Sequence, residues 1–123
     1  MMRADDPELR LFQAVVCQAI IDAVTPLPPV PSIESLLPEA NGMYRTALAR
    51  RNKHVRSRRE AAINQADARV WLLSDSPDFN FICECAELDP EAILNVAERL
   101  EQRGWPVISG SIDPQEIVQS LAA

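Results

Sequence analysis

Glycine, histidine and aromatic residues are scarce in this chain. Its 123 residues include three glycines and one histidine, and aromatic side chains make up 5% of the total. Strands favour aromatic and β-branched residues and hairpin turns favour glycine, whereas alanine and leucine, which are abundant here, favour helices. We therefore expect an all-α protein, a small helical bundle, and the length predicts a single domain over residues 1–123.

Long apolar runs are also absent. No stretch reaches the roughly 20 apolar residues that cross a bilayer. The N-terminal sequence, MMRADDPELR, has no hydrophobic segment of the kind found in signal peptides. We expect a cytoplasmic protein with no membrane partner.

The residues for a metal centre or an active site are lacking as well. Cys83-x-Cys85 is not a zinc-binding spacing, and with only His54 available elsewhere no four-ligand set can be assembled within one chain. The chain has no glycine-rich phosphate loop and no serine in a recognisable nucleophile motif. We expect no metal, no cofactor and no enzymatic activity. The three cysteines, which include Cys17, are predicted to be structural thiols.

Positive charge is concentrated in one short segment of an acidic chain. The net charge at pH 7 is −6, but residues 45–59, the basic segment, carry seven basic and no acidic side chains. Residues 60–123 carry three basic and twelve acidic ones. The candidate DNA-binding residues are Arg45, Arg50, Arg51, Lys53, Arg56, Arg58 and Arg59.

Arginine dominates the basic segment, and its guanidinium group matches phosphate oxygens in pairs better than an ammonium group does. Seven neighbouring positive charges repel one another unless an anion lies close by. A DNA backbone would supply that anion, and binding would then weaken as the salt concentration rises. The alternative is that the segment pairs with acidic residues of its own C-terminal half or of a neighbouring subunit.

The first helix is predicted over residues 7–24. Asp6-Pro7 supplies a capping carboxylate and a proline at the first helical position. Apolar residues cover more than one stripe of this helix. The helix is therefore predicted to be the centre of the core, or to lie partly in the core and partly in an oligomer interface.

A proline-rich connector is predicted over residues 25–40, followed by a turn at Asn41-Gly42. Four prolines between residues 26 and 31 restrict the backbone and remove hydrogen-bond donors, which predicts an extended chain. Residues 32–37 are predicted to form one helical turn.

The basic helical segment is predicted over residues 43–66. No proline or glycine interrupts the chain from Met43 to Leu73, so one long helix and two helices broken near residues 52–57 fit the sequence equally well. The seven cations do not fall on one helical face. They would surround a helix or line a flexible loop.

Residues 67–103 are predicted to form three short helices. Ser76-Pro77 and Asp89-Pro90 each combine a capping residue with a proline at the first helical position. The short turn between the second and third helices predicts a steep crossing of the helix-turn-helix kind. Residues 104–123 are predicted to form an extended arm and a short helix that begins at Asp113-Pro114.

This part of the chain resembles a family of small DNA-binding proteins. The resemblance is carried by Ala68-Arg69-x-Trp71-Leu72, Phe79-x-x-Ile82-Cys83, Leu88-Asp89-Pro90 and an apolar residue at Ile93. These strings resemble small helix-turn-helix proteins of phages, prophages and gene-transfer-agent-like clusters of alphaproteobacteria. The resemblance implies a regulator, or a packaging factor of the small-terminase type, in a bacterial host cell. A small terminase would form a ring-like homo-oligomer and hand DNA to a large terminase.

The predicted recognition helix is acidic, which argues against base reading by that helix. Its outward residues include Glu91, Asn95 and Glu98, and acids are repelled by the phosphate strands that border a groove. We therefore expect the basic segment to hold DNA largely without sequence preference. The alternative is an acidic protein–protein interaction module, such as a phage-encoded inhibitor of a host protein.

Overall fold

The computed structural model describes residues 6–105, which form five helices and no strand. The helices are α1 Pro7–Val24, α2 Ile33–Leu36, α3 Tyr44–Leu72, α4 Pro77–Cys85 and α5 Pro90–Gln102. The predicted all-α class is confirmed. The predicted C-terminal helix at Asp113-Pro114, and the predicted arm beyond Trp105, lie outside the described residues.

Three helices begin at the cap-and-proline pairs of the sequence. The carboxylate of Asp6 accepts backbone N–H bonds at the start of α1. The hydroxyl of Ser76 accepts from the N–H of Phe79 at 3.1 Å, and the carboxylate of Asp89 accepts from the N–H of Glu91 at 3.0 Å. Each bond satisfies a backbone donor that has no partner inside its helix, which is why these helices start where they do.

α3 is one continuous helix, which decides between the two alternatives that the sequence left open. It contains alanine and arginine in quantity and neither glycine nor proline, so nothing interrupts its hydrogen-bond ladder. Residues 67–72 are its last turns and do not form a separate short helix, contrary to the prediction of three short helices in residues 67–103. The helix ends before Asp75, whose φ of 47° turns the chain.

The described chain divides into two compact units, and the boundary between them falls within α3. One unit contains residues 6–25 and 65–105, and the other contains residues 26–64. The sequence predicted a single domain over residues 1–123.

The core of the first unit forms where α1 packs against α4 and α4 packs against α5. Phe79 and Cys83 of α4 and Ile93 of α5 are almost completely buried there. Gln13 of α1 donates a side-chain N–H to the carbonyl of Ala86 at 3.2 Å, which satisfies a backbone acceptor just beyond α4. The apolar faces of α4 and α5 therefore form this core.

α1 has two apolar faces, and only one of them is buried. Val16 and Ala23 belong to the core, whereas Leu11 is 63% exposed and Val15 is 42% exposed. Phe81 of α4 is 58% exposed, and its ring meets the ring of Phe12 of α1 edge to face, with 6.4 Å between the ring centroids. We call Leu11, Val15 and Phe81, which are exposed on the two helices that this ring contact joins, the exposed apolar patch.

The second unit has a small core of its own. Leu36, Ala40 and Ala47 are buried together, so the start of α3 packs on the short helix α2 and the turn after it. The turn is the predicted one at Asn41-Gly42, and both of its residues have positive φ. Glycine adopts such a conformation without strain, which explains its presence there.

Candidate nucleic-acid interface

All seven candidate cations lie on α3 within the unit formed by residues 26–64. Six of them are exposed and one, Arg51, is half-buried. The long helix therefore brings the candidate residues onto one element, which is one of the arrangements that the sequence left open.

One side of this part of α3 is covered. Ala47 is buried, and Arg51 and Val55 are half-buried at the i, i+4, i+8 spacing of a single helical face. The opposite side, with Arg45 and Arg56, is exposed. By their positions in the sequence, the seven cations lie all around the helix. The packing of this unit leaves only part of the helix surface open to a ligand.

Two of the seven cations already have partners within their unit. A guanidinium nitrogen of Arg50 lies 3.7 Å from a carboxylate oxygen of Glu39, with side chains 45% and 71% exposed. A surface ion pair of this kind is worth about 0–1 kcal/mol, so it does not hold Arg50 firmly. Arg58 donates to the backbone carbonyl of Pro28 at 2.9 Å, which ties α3 to the proline-rich connector and leaves the charge of Arg58 without a counter-ion there.

The remaining exposed cations make no ion pair or side-chain hydrogen bond within residues 26–64. They are Arg45, Lys53, Arg56 and Arg59. Lys53 and Arg59 each lie three residues from Arg56, a spacing at which like charges on a helix repel by a few tenths of a kcal/mol, roughly. None of these four charges is held in an ion pair within the unit, which leaves them available to an anion.

Two uncharged residues share the exposed side of α3. Ala49 and Asn52 are both exposed, and with Arg45 and Arg56 they follow the i, i+4, i+7, i+11 spacing of one face. A search for charged residues does not identify Ala49 and Asn52. Their helical spacing from Arg45 and Arg56 does.

The helix predicted to occupy the recognition position is α5, which follows α4 after a four-residue connector, 86–89. Its exposed residues include Glu91, Glu98 and Glu101 and one cation, Arg99, and Arg103 is exposed just after its end. The acidic surface predicted for this helix is therefore solvent-facing. The steep helix-turn-helix crossing stays a prediction.

The cysteines lie in the first unit as reduced thiols. Cys17 and Cys83 are buried and Cys85 is half-buried. Burial raises the pKa of the Cys17 thiol, and burial together with the charges of Asp89 and Glu84 raises the pKa of Cys83 to about 11. A thiol with so high a pKa is a poor nucleophile and a poor metal ligand at neutral pH.

Within residues 6–105, no three His, Cys, Asp or Glu side chains are arranged to hold a metal ion. Over the same residues, no helix combines the length and the apolar character needed to cross a membrane.

The comparisons with known proteins add no relative to these observations. The chain matches no protein-family model, no curated protein and no solved structure.

Proposed function

We propose that this chain is a non-enzymatic DNA-binding protein that holds the phosphate backbone with the exposed cations of α3. The observation that carries the proposal is the state of Arg45, Lys53, Arg56 and Arg59, which are exposed and form no ion pair within their unit. A polyanion supplies the missing negative charge and releases its own condensed counter-ions on binding, which favours association.

The proposal includes the origin that the resemblance implies. The protein belongs to a phage or phage-derived element of a bacterial host and acts in DNA packaging, in the manner of a small terminase, or in transcription regulation. The support for this origin is the set of strings between Ala68 and Ile93. A large terminase is the protein partner that a packaging role requires.

A second copy of the chain is the other partner in the proposal. Leu11, Val15 and Phe81 form an exposed patch without charge on a unit that is otherwise acidic. Two copies can place identical apolar patches together, which is the self-complementary contact of a two-fold interface. Exposed apolar clusters of this kind are typical of interaction sites.

The acidic face of α5 favours a second candidate function. Glu91, Glu98 and Glu101 are exposed there, and such a surface suits a basic protein better than it suits DNA. The chain would then be an interaction module that inhibits a host protein, and a pull-down from host lysate would return one stoichiometric protein that nuclease treatment does not remove.

The test of DNA binding is the affinity of the full chain for random-sequence duplex DNA at several salt concentrations between about 50 and 200 mM. We expect the logarithm of the binding constant to fall linearly with the logarithm of the salt concentration. In the variant Arg45→Gln/Arg56→Gln/Arg59→Gln the slope should become shallower by about 0.9 for each phosphate contact removed.

The matched control removes three exposed arginines outside the basic segment. The variant Arg10→Gln/Arg99→Gln/Arg103→Gln changes the net charge by the same amount, so a general electrostatic effect would weaken both variants equally. Absence of binding by the wild-type chain at low salt, or equal loss in both variants, would reject the proposal.

A further inference from the structure

The exposed side of α3 has a central line and two flanks. Arg45, Ala49, Asn52 and Arg56 form the central line, and they extend over about 16 Å of helix at 1.5 Å per residue. At about 100° per residue, Lys53 lies on one side of this line and Arg59 lies on the other. Both flanking side chains are exposed and form no ion pair within their unit.

The covered side of the helix lies opposite this central line. Ala47 is buried against Leu36 and Ala40, and Val55 is half-buried on the same side. The covered side of α3 therefore packs against its own unit. The opposite side presents the central line and its two flanks to solvent.

This arrangement matches the major groove of a DNA duplex better than it matches a single strand. The groove is about 12 Å wide and admits one α-helix, with base edges at its floor and a phosphate strand along each border. A helix in that position needs cations on both flanks and base-reading groups along its centre. A single strand has one line of phosphates, and it is held best by aromatic side chains that stack on its bases. Tyr44 and His54 are the only rings in this part of α3.

The residues of the central line have the chemistry that reads base edges. Asparagine pairs with the two major-groove edge groups of adenine, arginine pairs with those of guanine, and a methyl group such as that of alanine contacts the methyl group of thymine. Asn52 makes no side-chain hydrogen bond within residues 26–64, and asparagine is among the weaker helix formers. Neither packing within this unit nor helix propensity explains why an asparagine occupies position 52.

The geometry points to a sequence-reading role for α3: it enters the major groove of duplex DNA, with Asn52 contacting adenine, Arg56 contacting guanine, and Lys53 and Arg59 contacting the two phosphate strands. This inference rests on the proposed function and deepens it. It assigns the base-reading helix to α3, whereas the sequence predicted a recognition helix over residues 91–98 and predicted that the basic segment binds largely without sequence preference.

The experiment is selection of duplexes from a randomised pool by the full wild-type chain, followed by affinity measurements on the enriched sequence and on a scrambled duplex. We expect an enriched motif that contains adenine. The variant Asn52→Ala should bind the enriched duplex roughly 5- to 100-fold more weakly and the scrambled duplex with unchanged affinity. Its salt dependence should not change, because no charge is removed.

The matched control is Asn64→Ala, which removes an exposed asparagine from the same helix outside the basic segment. It should leave the enriched motif and both affinities unchanged. Since alanine is the better helix former at either exposed site, both variants should fold, and helical circular dichroism verifies this.

The outcomes separate the inference from the proposed function. Salt-dependent binding to any duplex without an enriched motif, or an Asn52→Ala variant that behaves like Asn64→Ala, would overturn base reading by α3 and leave the phosphate-binding proposal in place. Failure of the wild-type chain to bind duplex DNA at all would overturn both.

Discussion

Cys83 illustrates how burial changes the chemistry of a single side chain. Its thiol lies among Phe79, Ala86 and Ile93 in the core of the first unit, and it has no solvent exposure. Burial raises its pKa from 9.0 to about 11, with smaller contributions from the charges of Asp89 and nearby Glu84. The folded chain therefore keeps this proton at a pH at which the unfolded chain has lost it.

We expect the free energy of unfolding to fall as the pH rises from 9 to about 11. Below pH 9 the thiol is protonated in both states and contributes no pH dependence. Urea unfolding of the wild-type chain and of Cys83→Ala across this range measures the effect. The stability advantage of the wild type over the variant should shrink as the pH rises. If the free energies of unfolding of the wild type and of Cys83→Ala differ by the same amount at every pH, the raised pKa does not belong to Cys83.

Arginine has two different uses in this chain. In the first unit, Arg69 donates to the carbonyl of Ala23 at 3.0 Å, and its guanidinium group lies over the ring of Trp105 at 5.2 Å from the centroid. Arg69 satisfies a carbonyl at the end of α1 and contacts an aromatic face, and both contacts stabilise the fold. Arg45 and Arg56 have no comparable contact within their unit. This difference, which the charge pattern does not reveal, separates an arginine that the fold uses from the arginines that we propose bind DNA.

At the scale of the secondary-structure element, α4 is a short helix of nine residues that begins at a cap. Isolated helices of this length are marginal in water, so α4 relies on packing and capping. Its cap is the hydroxyl of Ser76, which accepts from the N–H of Phe79. Loss of the hydroxyl leaves that donor to solvent at the edge of the core.

We expect Ser76→Ala to lower the free energy of unfolding by about 1 kcal/mol. Ser57→Ala is the matched control, because Ser57 is an exposed serine inside α3 and makes no side-chain hydrogen bond within its unit. That control should be neutral or slightly stabilising, since alanine is the better helix former. Equal effects of the two substitutions in urea unfolding would argue against the capping role.

For the molecule as a whole, the second copy proposed above predicts concentration-dependent self-association through the apolar patch of α1 and α4. Leu11→Glu introduces a buried charge at such an interface and should shift the population towards the monomer in sedimentation velocity. Val70→Glu is the control, because Val70 is an exposed apolar residue outside the patch. A wild-type chain that stays monomeric at high concentration, or the same shift in both variants, would remove the patch as the interface.

The candidate site was predictable in part. The identity of its cations follows from the sequence, because seven basic residues without an acidic one stand out in any count. The sequence does not show which of these cations remain available to an anion. The contact of Arg58 with Pro28 joins residues 30 positions apart, and the half-burial of Arg51 depends on what covers that side of α3. Asn52 becomes a candidate for base contact only when the structure shows which side of α3 is exposed.

The sequence by itself determined the helical class and the starts of α1, α4 and α5, because helix propensity and N-terminal caps act between residues a few positions apart. The tertiary structure decided which apolar stripe of α1 is buried and which side of α3 remains open. It also shows residues 67–72 joined to α3 in one helix. Burial is settled by contacts between residues distant in the chain, and local sequence rules do not contain those contacts.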